Sequence, residues 1–265
     1  MSRGRAPMNA GWRERARAAA SLPPRSPRDP LHLDIGSGAV AVGSIDPALG
    51  KRLRAAGLPI RRVAGCWQID APAVDSLAAI AAWLRDAGLA GRWRNELLAV
   101  VDAEERPIAS VERSVVRVLG LVTFAVHLVG FAADGRIWVQ QRAFDKATDP
   151  GLWDTLMGGQ VGAGETVETA LVRETEEEAG LDVAALLDLA RGDRLTIRRP
   201  VSEGYMVEHI DVFRARLPAG LVPSNRDGEV ERFECLDAGE LEQRLARGDF
   251  TLEASLILAH DAAAR

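Results

Sequence analysis

The pattern of apolar and polar positions divides the chain into segments with a helical period and segments typical of strands. Between Pro72 and Ala87 apolar residues recur at helical spacing, and Gly88 follows where a helix would end, so the pattern predicts a helix there. Val115–Phe131 is almost continuously apolar and β-branched, as expected of one or two strands buried on both faces. Further strands are predicted at residues 39–42, 60–69 (as a strand or hairpin), 137–142, 195–198, 205–215 and 230–236. Further helices are predicted at residues 46–56, 165–179, 238–247 and 252–264.

These elements form two units that meet near Arg113. The first is a small α/β unit over residues 31–115, and the second covers residues 116–265. Residues 1–30 precede both and are rich in Ala, Arg and Pro, with four prolines between positions 21 and 30. We therefore expect residues 1–30 to be a mobile basic tail and linker. Their low acid content also fits a targeting segment, and this alternative stays open.

Composition narrows the class of protein. The chain has 265 residues, of which 47% are hydrophobic and 27% charged, which excludes extensive disorder and collagen-like or coiled-coil architecture. Its longest apolar run, residues 119–133, is shorter than the roughly 20 residues that span a bilayer, so we expect no membrane insertion. Two cysteines, Cys66 and Cys235, make neither a disulfide framework nor a zinc cluster. These features predict a cytoplasmic protein in a reducing compartment.

Charge is unevenly distributed along the chain. The first 30 residues contain seven arginines against Glu14 and Asp29, a net charge of +5, whereas the whole chain has a net charge of −5. The remaining residues therefore carry −10. An acidic body argues against nucleic acid as a partner, because a phosphate backbone is bound by a basic surface.

An acidic run near the middle of the chain carries the candidate chemistry. On a helical wheel with Val167 at zero, Glu174 falls at about −20° and Glu178 at about +20°, within the apolar stripe, and Glu177 at about −80°. A solvated acidic helix, the alternative, would place these carboxylates opposite the apolar stripe. Partly buried carboxylates that crowd each other need protons or cations, and clustered oxygen ligands suit Mg²⁺ or Mn²⁺.

The spacing of this run resembles the signature of the Nudix hydrolases. Seven identities of that signature are present, and the chain departs from it at Thr175, where the family usually has an aliphatic residue. The matching residues are Gly159, Glu165, Arg173, Glu174, Glu177, Glu178 and Gly180. The resemblance implies an α/β/α sandwich with a mixed sheet, so the fold class is α/β with a small α/β N-terminal domain in front.

The resemblance also implies the reaction, which is metal-dependent hydrolysis of a diphosphate linkage with Mg²⁺ or Mn²⁺ as cofactor. Carried over by position, Glu174, Glu177 and Glu178 would bind the cations, and Glu178 or a nearby carboxylate would orient or deprotonate the attacking water. Glu165 would pair with Arg173, and Gly159, like Gly180, would permit a tight backbone. The family often forms dimers, so a homodimer is a further expectation.

Residues outside the signature complete the candidate site. Glu229 is the best candidate for an additional metal ligand; Glu231 is a second, Glu168 a weaker one, and a solvated loop acid is the alternative for each. Arg142 and Lys146 could grip the diphosphate, or instead pair with Asp145 or Asp149. Trp153 could stack on a ring of the substrate and His127 could act as a base, but we expect both to be core residues.

Several short stretches, among them 93–96, 111–113, 146–151 and 227–230, resemble one subgroup of the family, in which an extra N-terminal domain precedes the Nudix domain. Some relatives in that subgroup hydrolyse oxidised thiamine diphosphate to the monophosphate. By this resemblance Trp93 and Arg94 would close over the ring end of the substrate.

Two alternatives remain. Isopentenyl-diphosphate isomerases share the fold and a run similar to residues 140–153, but they use a Cys where this chain has residues 156–158, Leu-Met-Gly. Some Nudix-fold proteins are binding modules without catalysis, and these usually lack the glutamates that this chain retains.

Overall fold

A computed structural model describes residues 11–261 of the chain. The helices are α1 (Trp12–Ala19), α2 (Pro47–Ala55), α3 (Ala73–Asp86), α4 (Val167–Ala179), α5 (Ala238–Arg247) and α6 (Leu252–Asp261). The strands are β1 (Asp29–Asp34), β2 (Ala39–Ile45), β3 (Ile60–Val63), β4 (Cys66–Ile69), β5 (Leu97–Val101), β6 (Pro107–Glu112), β7 (Val122–Phe131), β8 (Ile137–Arg142), β9 (Trp153–Asp154), β10 (Met157–Gln160), β11 (Leu187–Pro200), β12 (Tyr205–Arg216) and β13 (Val230–Leu236). No helix within residues 11–261 is long and apolar enough to cross a membrane.

The N-terminal unit is built on a four-stranded sheet in the order β2-β1-β4-β3, in which β1 and β4 are parallel. Helices α2 and α3 cover it, and the hairpin β5-β6 packs against α3. Asp46 begins α2 by accepting hydrogen bonds from the backbone N–H groups of Ala48 and Leu49, as an N-cap does. Residues 115 to 121, which straddle the predicted boundary between the units, also pack into this first core.

The second unit is a sandwich of helices around a mixed sheet. The sheet has the order β11-β12-β7-β8-β13, with β12 parallel to β7 and the other neighbours antiparallel; β10 pairs with β7 and β9 with β8. Alternate residues of β7 point to opposite faces. Val126 and Leu128 lie in a core with α4, whereas Ala125 and Val129 lie in a core with α1, α5 and α6. The α/β/α sandwich with a mixed sheet is therefore confirmed.

The chain before β1 differs from the expected tail and linker. Trp12–Ala19 forms α1, which packs against α6, and Trp12 and Ala16 are buried. The Trp12 indole N–H donates to Glu242 at 2.6 Å, and Leu22 N–H donates to the Arg198 carbonyl at 2.8 Å. The prediction of a mobile segment is thus wrong for these residues. Trp12 is buried in the core that includes α5 and α6, and Arg13 and Arg15 of α1 bond to α5. The first ten residues of the predicted tail lie outside the described part of the chain.

Some of the other predicted helices and strands agree with the structure, and some differ from it in length. Helix α3 and the hairpin β3-β4 agree with the predictions for residues 72–87 and 60–69. The long apolar segment from Val115 forms one strand, β7, after a short 3-10 turn. Strand β11 extends far beyond the predicted residues 195–198, and the hairpin β5-β6 was not predicted. That hairpin lies next to the loop before α4, where Ala163 N–H donates to the Leu97 carbonyl at 2.8 Å, so it brings the N-terminal unit to the candidate site.

Candidate active site

Helix α4 carries the acidic run and has well-defined ends. Thr166 and Thr169 form a reciprocal capping box at its N-terminus, one residue after the predicted start. Gly180 ends it in the left-handed region, with φ of 63°, which a residue with a Cβ adopts only at a cost. Between these ends Glu178 faces the sheet, as its wheel position predicts, and Glu176 is exposed to solvent.

Glu178 is the most deeply buried carboxylate of the run, with 2% of its surface exposed. Its Oε2 accepts hydrogen bonds from the Gln140 amide at 2.9 Å and from the Gly158 backbone N–H at 3.1 Å. Burial, reinforced by the charge of Glu174, raises the pKa of Glu178 to about 8, although both hydrogen bonds act in the opposite direction. A carboxyl with this pKa can exchange a proton near neutral pH.

Glu174 lies beside β10 and is mostly buried. A Cβ on Gly159 would overlap the Glu174 carboxyl group, so glycine at this position leaves the space that the carboxylate occupies. Glycine is needed here because the Glu174 carboxyl group lies so close to the backbone, and not because the backbone has a positive φ. The expected tight backbone is therefore a close contact between a side chain and the backbone. Burial raises the pKa of Glu174, and Arg173 partly counteracts this effect.

Arg173 joins the carboxylates of α4 to the loop before it. Its guanidinium donates to Glu165 at 2.6 and 2.8 Å, which agrees with the pairing that the family resemblance implied. It also donates to Glu174 at 2.8 Å and to Glu177 at 3.1 Å. Glu177 is half-exposed, so only two of the three predicted ligands point into the protein. Glu165 is held in turn by the Gly162 N–H at 2.8 Å.

The chemistry of these residues fits a hard divalent cation. The donors are carboxylate oxygens, Gly159 leaves room next to Glu174, and the buried Gln140 Oε1 beside Glu178 has no hydrogen-bond partner among the described residues. Within residues 11–261, however, no three His, Cys, Asp or Glu side chains are already grouped to hold a metal ion. Arg173 donates hydrogen bonds to one oxygen each of Glu174 and Glu177. The assignment of Glu174, Glu177 and Glu178 as ligands stays a prediction.

A cleft lies beside β10, and both predicted phosphate-binding cations line it. Lys146 pairs with Glu229, and Arg142 donates to the Thr148 carbonyl at 2.9 Å and lies 3.8 Å from Asp154. The alternative pairing with Asp145 or Asp149 is not the one the structure adopts. Burial acts to raise the pKa of Glu229, but Lys146, together with the more distant Arg94 and Arg113, holds it below its ordinary value.

The cleft also contains acidic residues that sequence reasoning missed. Glu208 on β12 and Asp154 on β9 are buried, and Glu253 at the start of α6 lies close to both. Burial and the charge of Glu208 raise the pKa of Glu253 to about 7. These residues come from distant parts of the chain, so no motif spacing marks them. His127 is buried on the same side and bonds to Thr155 at 2.9 Å, as expected of a satisfied core histidine.

The remaining candidates lie in different places. Arg94 lines the cleft, whereas the Trp93 ring packs on the N-terminal core under Arg85, and its N–H donates to Asn95. Trp93 is therefore not among the residues that line the cleft. The two weaker metal candidates do not line the cleft: Glu168 pairs with Arg191 and Glu231 is exposed. Trp153 is buried in the core, as predicted.

Comparison with known proteins agrees with this arrangement. A family model described as the NUDIX domain matches residues 122–256. The chain is 31% identical over 182 residues to Nudix hydrolase 20, chloroplastic, of Arabidopsis thaliana, a match that covers 63% of this chain and 46% of that protein. It is also 40% identical over 119 residues to the isopentenyl-diphosphate Delta-isomerase of Leifsonia xyli, with 44% and 61% covered. In the first of these matches the chain spans about half of its relative's length.

Among solved structures, the crystal structure of DR0079 from Deinococcus radiodurans is similar, with a TM-score of 0.51 and 23% sequence identity. The match covers 63% of this chain and 98% of that one. At this level of identity the likeness shows a shared fold.

Proposed function

The chain belongs to the NUDIX domain family, and from this membership and the geometry of its cleft we propose that it hydrolyses a diphosphate linkage with the help of a divalent cation. The observation that carries the proposal is the position of Glu178 and Glu174. Two partly or fully buried carboxylates lie next to each other on one face of α4. They contact Gly158 and Gly159 of β10, and these two glycines line the cleft together with Arg142 and Lys146. Buried carboxylates attract a cation, and the arginine and lysine attract phosphate oxygens.

Different residues would bind the phosphate, hold the cation and accept the proton. Arg142 and Lys146 hold the phosphate oxygens, and Arg's planar fork orients them. Glu174, Glu177 and Glu178 would hold Mg²⁺ or Mn²⁺, which when bound neutralises phosphate charge and makes water more acidic. Water attacks phosphorus, its oxygen forms the new P–O bond, and the bridging P–O bond breaks. Glu178 or a carboxylate near it, deprotonated when the cation is bound, would accept the proton that the water loses.

The substrate within this class is a finer proposal. Oxidised thiamine diphosphate, cleaved to the monophosphate, is the first candidate because the chain resembles the subgroup with an extra N-terminal domain. In support, Arg94 of the N-terminal unit reaches the same cleft as Arg142 and Lys146. A cytoplasmic location and a homodimer also remain proposals.

A substrate panel tests the proposed reaction. The full chain would be incubated with oxidised and ordinary thiamine diphosphate, ADP-ribose, NADH, dinucleoside polyphosphates and oxidised nucleotides, each with Mg²⁺, with Mn²⁺ and with EDTA. We expect metal-dependent cleavage of at least one diphosphate. Release of no product from any compound would favour a non-catalytic binding module and contradict the proposal.

Isomerisation of isopentenyl diphosphate is a second candidate, favoured by the similarity to the Leifsonia xyli enzyme. The placement of the cysteines argues against it. Cys66 lies on β4 of the N-terminal unit and Cys235 on β13, and neither lines the cleft beside α4. Incubation with isopentenyl diphosphate, followed by analysis for the dimethylallyl isomer, separates the two reactions; we expect no isomer.

A further inference from the structure

The cleft continues away from α4 along the N-terminal unit, and this outer part is rich in arginine. Its charged lining consists of Arg92, Arg94, Arg113, Arg117, Glu203 and Glu208. Four guanidinium groups thus face two carboxylates, and Glu208 is already engaged by the Thr123 hydroxyl and the Gln160 amide. A concave surface with this excess of positive charge attracts an anion.

Several hydrogen-bond donors here lack acceptors within residues 11–261. The guanidinium groups of Arg94 and Arg117 form no hydrogen bond or ion pair with any described residue, whereas Arg113 is paired with Glu96 at 2.8 Å. The Ser114 hydroxyl lines the same part, is buried, and also has no partner among these residues. Arginine and serine hydroxyl groups are donors that a phosphate, with its several acceptor oxygens, can satisfy together.

The loop that carries Arg94 is held rigidly. The buried Glu112 carboxylate accepts hydrogen bonds from the backbone N–H groups of Arg94 at 3.0 Å and Glu96 at 3.1 Å. At either side, Gly91 N–H donates to the Ser114 carbonyl at 3.0 Å and Arg113 N–H to the Glu96 carbonyl at 2.8 Å. The backbone is therefore ordered before any ligand binds, which lowers the entropic cost of binding.

We propose that this outer part of the cleft binds a phosphate group of the substrate in addition to the diphosphate at Arg142 and Lys146. The inference rests on the proposed hydrolysis of a diphosphate. It favours substrates whose other moiety bears a further phosphate over oxidised thiamine diphosphate, which bears none. Arg142 and Lys146, with a divalent cation, already provide for the diphosphate. Arg92 lines only the outer part, whereas Arg94, Arg113 and Arg117 line both parts of the cleft.

Binding of inorganic phosphate to the full chain in EDTA, measured by calorimetry, tests the subsite without hydrolysis. We expect Arg94→Ala/Arg117→Ala to weaken binding at least tenfold, and Arg94→Lys/Arg117→Lys to weaken it less because the charge remains. Arg54→Ala, an exposed arginine of α2, is the matched control and should not change binding. The same measurement on Arg142→Ala should still detect phosphate. No phosphate binding, undiminished binding by the double alanine variant, or equal binding of succinate would overturn the proposal.

Hydrolysis provides the second readout. ADP-ribose and ADP-ribose 2′-phosphate differ by one phosphate, so the ratio of their kcat/KM values isolates its contribution. For the wild-type protein we expect kcat/KM for ADP-ribose 2′-phosphate to be at least ten times that for ADP-ribose. The two values should be nearly equal in the double alanine variant, and their ratio should be unchanged in Arg54→Ala. A wild-type ratio of one would overturn the proposal. If no diphosphate is cleaved but phosphate binding still depends on Arg94 and Arg117, the proposed hydrolysis is contradicted and the proposed phosphate subsite is supported.

Discussion

Replacing Glu178 by glutamine is expected to stabilise the metal-free protein at alkaline pH and to abolish hydrolysis. Glu178 is buried against Gln140 and Gly158, and burial raises its pKa from 4.5 to about 8. In the wild-type protein this group must therefore hold a proton or carry an uncompensated buried charge. Glutamine has nearly the same shape, keeps an oxygen for the two donors and carries no charge.

The sign of the pH effect follows from proton binding. The folded protein binds the Glu178 proton more tightly than the unfolded chain, so the contribution of this group to stability is fully present below pH 4.5. It is lost as pH rises through the window from 4.5 to about 8. A difference of this size corresponds to about 5 kcal/mol in the free energy of unfolding. Glu178→Gln removes this loss of stability with rising pH. The pH dependence of the free energy of unfolding that Glu174 contributes remains in both proteins.

Urea unfolding in EDTA at several pH values from 5 to 8 measures the effect on both proteins. The wild-type free energy of unfolding should fall more steeply with pH, and the two curves should diverge by several kcal/mol. Turnover of Glu178→Gln with Mg²⁺ should fall by orders of magnitude. Glu176→Gln, on the solvent-facing side of α4, is the control and should change neither property. Parallel pH curves, or turnover like that of the wild-type protein, would refute the reasoning.

Three further substitutions test other parts of the structure. Thr175→Val should raise the free energy of unfolding by about 1 kcal/mol, because the buried Thr175 hydroxyl has no hydrogen-bond partner among residues 11–261. Thermal melting measures the change in stability. The control variant Thr175→Ser keeps the hydroxyl and should not be more stable than the wild type. Gly159→Ala should lower turnover at least a hundredfold in steady-state assays, because a Cβ displaces Glu174, whereas Gly11→Ala, with open space around it, should be neutral. Trp12→Ala should lower the free energy of unfolding, measured in urea, by about 3 kcal/mol, since the ring is buried in the core that includes α5 and α6. Unchanged stability would support a mobile segment after all.

The elements that the sequence predicts well are those with a strong period. Helix α4 has an apolar stripe, caps at both ends and carboxylates whose wheel positions agree with their burial. Helix α1 has only eight residues, most of them Ala or Arg, and its burial depends on Trp12 finding a partner 230 positions away. No local pattern contains that information, so composition alone suggested a tail.

The same distinction applies to the site. Glu165, Arg173 and the carboxylates of α4 lie within one continuous motif, and the family resemblance of that motif implies that Glu165 and Arg173 pair, as they do in the structure. The other residues of the cleft cannot be predicted in this way. Glu208 lies on β12, Glu253 on α6 and Arg117 before β7, and only the tertiary fold brings these distant residues to one cleft.

The metal-free site balances its own charges in two ways. Arg173 pairs with Glu174 and Glu177, and Glu178, which Arg173 does not contact, has a pKa high enough to hold a proton. The fold can therefore tolerate three carboxylates on one helical turn without a cation. Binding a cation there must release the Glu178 proton and weaken the hold of Arg173, so the affinity for the cation should increase with pH. The pairing of Arg173 with Glu165 would then keep the arginine beside the helix when its other partners are occupied.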